Sequence, residues 1–215
     1  MFLGHFALAL AAKKVAPQTS LGTTALAANL ADTVWPLLLI LGVEQVKVTR
    51  GLMAASPLDF THYPWSHSLL VGALAGLVCG LGYYLVRRYG RGALVVGALV
   101  VSHWVLDVFF HRPDLPVWPG GPKLGLGLWD SLPITLLCEA AFLAVGVFIY
   151  RRVTEPVDRA GSISFWALIG FMVLMYVGSI FGPPPSANAI GWGALIGWVL
   201  YPWAYYIDRH HRLRA

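Results

Sequence analysis

Gly92 to His111 reads GALVVGALVVSHWVLDVFFH, a run with one acid, two histidines and no Lys or Arg. At about 1.5 Å per residue, a helix of that length rises about 30 Å. That is the thickness of a bilayer's hydrocarbon core. The run is therefore read as a transmembrane helix, and as one that carries His103 and Asp107 at a depth where ionisable groups are costly.

Working outward, five more stretches are long and apolar enough to span: 19–43, 63–86, 129–150, 162–181 and 187–207. Phe2 to Ala12 is apolar but too short, and is read as a short or half-inserted helix. His5 interrupts it and Lys13-Lys14 follow it, which is not the pattern of a signal peptide. The whole chain agrees with this reading. Of 215 residues, 58% are hydrophobic and 12% charged, about half the roughly 25% charged of a soluble average. Mean hydropathy is +0.68. These values exclude a disordered chain and argue against an ordinary soluble domain. Cys79 and Cys138 lie inside apolar runs and imply no disulfide framework. The expected fold is all-α: a polytopic membrane bundle of six full spans plus a short N-terminal helix, in a single domain.

The net charge of +5 comes from 15 Lys+Arg against 10 Asp+Glu. Lys13, Lys14, Arg87, Arg88, Arg91, Arg151, Arg152, Arg159, Arg209, Arg212 and Arg214 fall on one side of the spans. Lys47, Arg50, Arg112 and Lys123 fall on the other. Cytoplasmic loops carry the cation excess, so the C-terminus is placed in the cytoplasm, at a cytoplasmic membrane. The charge needs no nucleic-acid partner. Gly72, Gly76 and Gly80 form a small-residue stripe for close helix packing, and Gly193 and Gly197 repeat it. Pro113, Pro116, Pro119 and Pro122 forbid regular helix in the outer 112–128 loop.

Ionisable side chains inside the bilayer cost at least about 2.5–3.5 kcal/mol at mid-depth, so each is a functional candidate. The spans hold Asp32, His67, His103, Asp107 and Glu139. His5, His62 and His111 lie near their ends. At about 1.5 Å per residue, these groups lie about 5–15 Å from the outer ends of their helices. Shared depth on different helices points to one site. His103, Asp107 and His111 are spaced four apart and share one helix face. Imidazole nitrogen and carboxylate oxygen suit Zn²⁺, and Mn²⁺ or Fe²⁺ less specifically. The expected centre holds a divalent metal, most plausibly Zn²⁺, on His67, His103 and Asp107. Asp32 is a fourth ligand or sits behind one, with Asn29 on the same face to orient it. Glu139 reads equally as a ligand, a general base or a protonated structural acid. Ser66 and Ser68 flank His67, but no Gly-x-Ser-x-Gly elbow supports a serine nucleophile. His210 and His211, in the basic tail RHHRLR, are read as lipid-headgroup contacts. A polar cluster that merely glues helices together is the bland alternative.

The sequence resembles the YdjM-like family of predicted inner-membrane metal-dependent hydrolases. The resemblance rests on Gly4-His5-Phe6, Asp32, His62, Ser66-His67-Ser68-Leu69 and Ser102-His103-x-x-x-Asp107, and covers residues 1–130. Residues 131–215 look like added spans. The chain departs from the family where Leu30 stands in place of the first residue of an Asp-x-Asp pair, and where Tyr63 follows His62 in place of Arg. The helix-borne His-x-x-x-Asp is also similar, in ligand pattern alone, to zinc-dependent phospholipase C and P1-type nucleases. The resemblance implies metal-dependent hydrolysis; because an intramembrane site opens to lipid and phosphate suits a His-rich metal centre, the expected substrate is a lipid or lipid-linked phosphoester near the outer leaflet. Glu139 or Asp32 would take the proton from water. His5, His62 and His111 would line the entrance and supply the leaving-group acid, and His5 and His62 complete the candidate ligands. A non-catalytic metal-binding scaffold and a proton- or cation-coupled transporter are the other function classes.

Overall fold

The computed structural model describes residues 1–214. The C-terminal residue Ala215, expected in the cytoplasm, lies outside them. The helices are α1 (Leu3–Val15), α2 (Leu21–Ala28), α3 (Leu30–Ile40), α4 (Pro64–His67), α5 (Leu69–Arg87), α6 (Gly90–Phe110), α7 (Leu132–Val153), α8 (Arg159–Phe181), α9 (Ala187–Ala194) and α10 (Leu200–Arg209). Among the described residues, α5, α6, α7 and α8 are long and apolar enough to cross a membrane. Their outer faces carry large apolar side chains: Leu77, Val78, Val86 and Leu94 are each at least 68% exposed. Water would penalise such surfaces and lipid does not, so the chain is a multi-pass membrane protein.

The expectation of six full spans is corrected at both ends of the chain. Residues 19–43 form α2 and α3, bent by 56° at Asn29, which make one broken span at most. Residues 187–207 form α9, a 3-10 segment (Leu195–Val199) and α10. Gly191, Gly193 and Gly197 weaken helix there, and Pro202 donates no N–H to the turn before it. The all-α reading also needs a correction in the loops. β1 (Gln45–Val48) pairs antiparallel with β2 (Leu58–His62), and β3 (Leu115–Pro116) with β4 (Lys123–Leu124). β5 (Thr154–Pro156) pairs with β6 (His211–Leu213).

The largest departure concerns α1. It is not half-inserted at an edge: it lies at the centre, packed against α7, α2 and α6. Leu3, Phe6 and Leu10 join Leu21 and Ala25 of α2, Val96 and Leu99 of α6, and Leu143 of α7 in one core. Phe165 and Met172 of α8 and Ile207 of α10 belong to the same core. A helix wrapped by protein need not match the bilayer thickness, which explains its short apolar run. Close approach to α7 depends on Gly146, where a Cβ would stand 2.6 Å from the Ala7 carbonyl oxygen. The α5 stripe works as predicted at two positions: a Cβ on Gly76 would meet the Gly97 oxygen at 2.7 Å, and one on Gly80 the Ala93 oxygen at 2.9 Å. Gly193 and Gly197 do not repeat it. Nothing lies within 4 Å of a Cβ there; they border a cavity instead.

The other face of the bundle is tied by polar contacts. The Lys13 ammonium pairs with Asp208 and donates to the Thr19 oxygen at 3.0 Å, which joins α1 to α10. Asp158 caps α8, accepting from Gly161 N–H at 2.7 Å, and its second oxygen meets His210 Nδ1 at 2.7 Å. The backbone bond first, and then His210, hold this carboxyl below its usual value. A depressed folded value stabilises fully above the unfolded value of about 3.9, and the gain is lost as pH falls through the folded value. Asp158→Ala should therefore lower the thermal midpoint in detergent at neutral pH. The gap from wild type should narrow as pH is taken toward about 3. A gap that stays constant over that range would remove the cap as its cause.

Candidate metal centre

The centre is assembled from α1, α3, α4 and α6. On α6, His103 and Asp107 lie one turn apart and are both buried. His103 Nδ1 is 2.9 Å from the carbonyl oxygen of Ala28, the last residue of α2. A carbonyl only accepts, so Nδ1 carries the proton of this hydrogen bond. Nε2 of the neutral ring is then a lone pair, and it has no hydrogen-bond partner. It stands 3.3 Å from Asp107 Oδ2 and 3.8 Å from Asp32 Oδ1. A buried ring nitrogen facing two carboxylate oxygens is an arrangement that a cation relieves, either a proton on Nε2 or a metal ion.

His67 completes it. This residue ends α4, and its Nε2 lies 3.4 Å from Asp32 Oδ1 and 4.0 Å from Asp107 Oδ2. Ligands on bonds of about 2.0–2.1 Å in a tetrahedron are about 3.3 Å apart, so separations of 3.3–4.0 Å match such a shell before it closes on an ion. Two triads of ligand atoms each lie within 4.8 Å of one another: Asp32, His67 and His103, and His5, His103 and Asp107. Either can hold a metal ion. His103 belongs to both and has one free nitrogen, so the two triads describe one shared centre.

His5 approaches from α1. Its Nε2 is 3.2 Å from Asp107 Oδ1, and its ring stacks on His103 at 3.7 Å. The Met1 amine donates to the same Asp107 oxygen at 2.8 Å. His111 caps the C-terminal end of α6, with Nε2 3.9 Å from Asp107 Oδ2. Its Nδ1 lies 3.0 Å from Asp114 Oδ1. Burial pushes the Asp114 carboxyl up, but hydrogen bonds from His111, Tyr63 and Arg112 outweigh it and hold the group below its usual value.

Three expected residues sit elsewhere or act otherwise. His62 is exposed at the end of β2, opposite Gln45, and does not reach the cluster. Its neighbour Tyr63, just past the strand, is buried instead, its hydroxyl donating to Asp114 Oδ1 at 2.9 Å. Asn29 does not orient Asp32: its Nδ2 donates to the Ala25 oxygen at 2.9 Å. Glu139 borders the same cavity, yet Oε1 accepts from Phe2 N–H at 2.8 Å and Oε2 from Gly4 N–H at 2.9 Å. It holds the otherwise uncapped N-terminus of α1. Sequence reading missed Glu44, which is buried beside Ser66. Its signal was faint: one acid just past an apolar helix, three residues ahead of Lys47, reads as an ordinary loop charge.

The cluster opens into a cavity of about 520 Å³, within the roughly 300–1,000 Å³ of ligand sites. Asp32, His67, Asp107 and His111 form its polar end. Met175, Ile180, Ile190, Trp198 and Leu200 line the apolar remainder between α3, α8 and α9. A smaller cavity of about 240 Å³ reaches His67 and His103 from the side of α5, past Val34, Val71 and Gly72. No protein-family model, curated protein or solved structure matches this chain.

Proposed function

We propose that the chain is a membrane-embedded, zinc-dependent hydrolase of the YdjM-like kind. It would act on a lipid or lipid-linked phosphoester near the outer leaflet of the cytoplasmic membrane. The carrying observation is the orphaned His103 Nε2, which with His67 Nε2 faces Asp32 and Asp107. Two imidazoles and one carboxylate as ligands (His67, His103 and Asp107), with Asp32 beside the position left open for water, suit Zn²⁺ better than Mg²⁺ or Ca²⁺, which take oxygen ligands. When bound, Zn²⁺ would polarise a phosphoryl oxygen and lower the pKa of a coordinated water to about 7.

The residues divide the remaining work. Asp107 is 2% exposed and held by Met1 and His5, so it anchors the centre. Asp32 is 38% exposed on the cavity side, which suits it to take the proton from the attacking water. His111, in the polar end of the cavity beside Asp114, is placed to protonate a leaving oxygen. The apolar length of the cavity supports a substrate with a hydrocarbon chain. The split of cations supports the outward orientation of the site and a cytoplasmic C-terminus.

The test is metal analysis of detergent-purified protein, followed by turnover on a panel of phospholipids and polyprenyl phosphates. About one zinc per chain and hydrolysis of one substrate class are expected. Stoichiometric metal with an inert panel would replace the enzyme by a scaffold, and absence of metal after zinc loading would remove the centre.

A further inference from the structure

We propose that Glu44 and Ser66 are positioning residues that hold the proton of His67 on Nδ1 and thereby present Nε2 as a metal ligand. This rests on the metal-centre reading above. Glu44 follows α3, some twenty residues ahead of α4 in sequence, and is 2% exposed. Its Oε1 accepts two backbone N–H groups, from Trp65 at 2.8 Å and Ser66 at 2.9 Å. Its Oε2 accepts the Ser66 hydroxyl at 2.6 Å. Ser66 Oγ is also 2.7 Å from His67 Nδ1.

The direction of every bond in this chain is forced. A carboxylate oxygen only accepts, so the single Ser66 hydroxyl proton points to Glu44. Ser66 Oγ can then only accept from His67, so Nδ1 carries the N–H. Nε2 is left as the lone pair on the side of Asp32 and Asp107. The Ala28 carbonyl imposes the same tautomer on His103 by a different route. Metal-bound histidines characteristically donate their second nitrogen to a carboxylate or carbonyl, and loss of that partner costs about 10–100-fold in metal affinity. Here a serine relays the carboxylate.

Glu44→Gln reverses the relay with little change in shape. The amide oxygen must stay against the two backbone N–H groups, because the NH₂ there would meet two donors. The NH₂ therefore faces Ser66 Oγ and donates to it. The Ser66 proton then turns to His67 Nδ1, and the His67 proton moves to Nε2, where it blocks coordination.

The experiment uses the full chain in detergent, labelled with ¹⁵N-histidine, with the His67 signals assigned by their loss in His67→Gln. Long-range proton–nitrogen spectra of metal-free protein should show the Nδ1–H tautomer in wild type and Ser66→Thr, and Nε2–H in Glu44→Gln. Zn²⁺ titration should give about 10–100-fold weaker binding in Glu44→Gln and Ser66→Ala, with Ser66→Thr close to wild type. A folded Glu44→Gln that keeps Nδ1–H and wild-type Zn²⁺ affinity would overturn the proposal. Should Glu44→Gln fail to fold, Ser66→Ala with undiminished affinity would overturn it equally. Tautomers that follow the relay in a wild-type protein that binds no Zn²⁺ would sink the metal centre and leave the relay standing, so the two failures are distinct.

Discussion

His103→Ala is expected to abolish stoichiometric zinc and to reduce phosphoester turnover by about 10³-fold or more. Metal activation supplies several kcal/mol of transition-state stabilisation, and each step of about 1.4 kcal/mol is a decade in rate. His103 is the member common to both triads, so neither triad keeps its three ligands. The vacated volume lies beside the His5 ring, which stacks on it at 3.7 Å, and a folded protein with an emptied centre is expected. The measurements are metal content and turnover, with circular dichroism to show that the helices persist. His210→Ala, at the far end of the bundle against Asp158, should keep both metal and activity. Retention of one zinc per chain by His103→Ala would place the ion elsewhere.

The second large effect is on stability. Glu139 accepts N–H groups from Phe2 and Gly4 in the first turn of α1, and no side chain of α1 itself caps that end. Glu139→Ala strands both donors in a buried site. At about 1–3 kcal/mol for each, the loss is about 2–6 kcal/mol. Glu139→Gln retains one carbonyl oxygen and should fall between Ala and wild type. Because α1 lies at the centre of the bundle and carries His5, zinc affinity should fall together with the thermal midpoint. A general base would behave differently. Glu139→Gln would then keep fold and metal while turnover dropped about 10²–10⁴-fold, and that outcome would give the proton-accepting role to Glu139 in place of Asp32.

Much of this protein is legible in its sequence because hydropathy and helical period are local properties. The long, mainly apolar runs of α5 to α8 specify helices long and apolar enough to cross a bilayer, whatever they pack against. The four-residue spacing of His103 and Asp107 puts both on one face of α6 by helix geometry alone. Position along their helices put Asp32 and His67 in the same half of the bundle, and the structure brings them within 3.4 Å of each other. What hydropathy could not supply was the path of the chain where propensity is weak. The break at Asn29 and the glycine-rich segment before α10 interrupt two apolar stretches that composition alone presents as continuous.

The partners of each polar group were decided only in three dimensions. Phe2 and Glu139 lie 137 residues apart, and Glu44 meets Ser66 across a β-hairpin. No local pattern encodes such meetings, because they follow from which helices the apolar core brings together. Burial of α1 turned a run too short to span into the element that carries His5 to Asp107 and gives Glu139 its two donors. The same packing left His62 on an exposed strand end, although its sequence position beside the third span matched the candidate ligands. Residue types and spacing thus determined a membrane bundle with metal-ligating chemistry. Packing decided which atoms face one another, since a lone pair or a proton gains its role from the group opposite it.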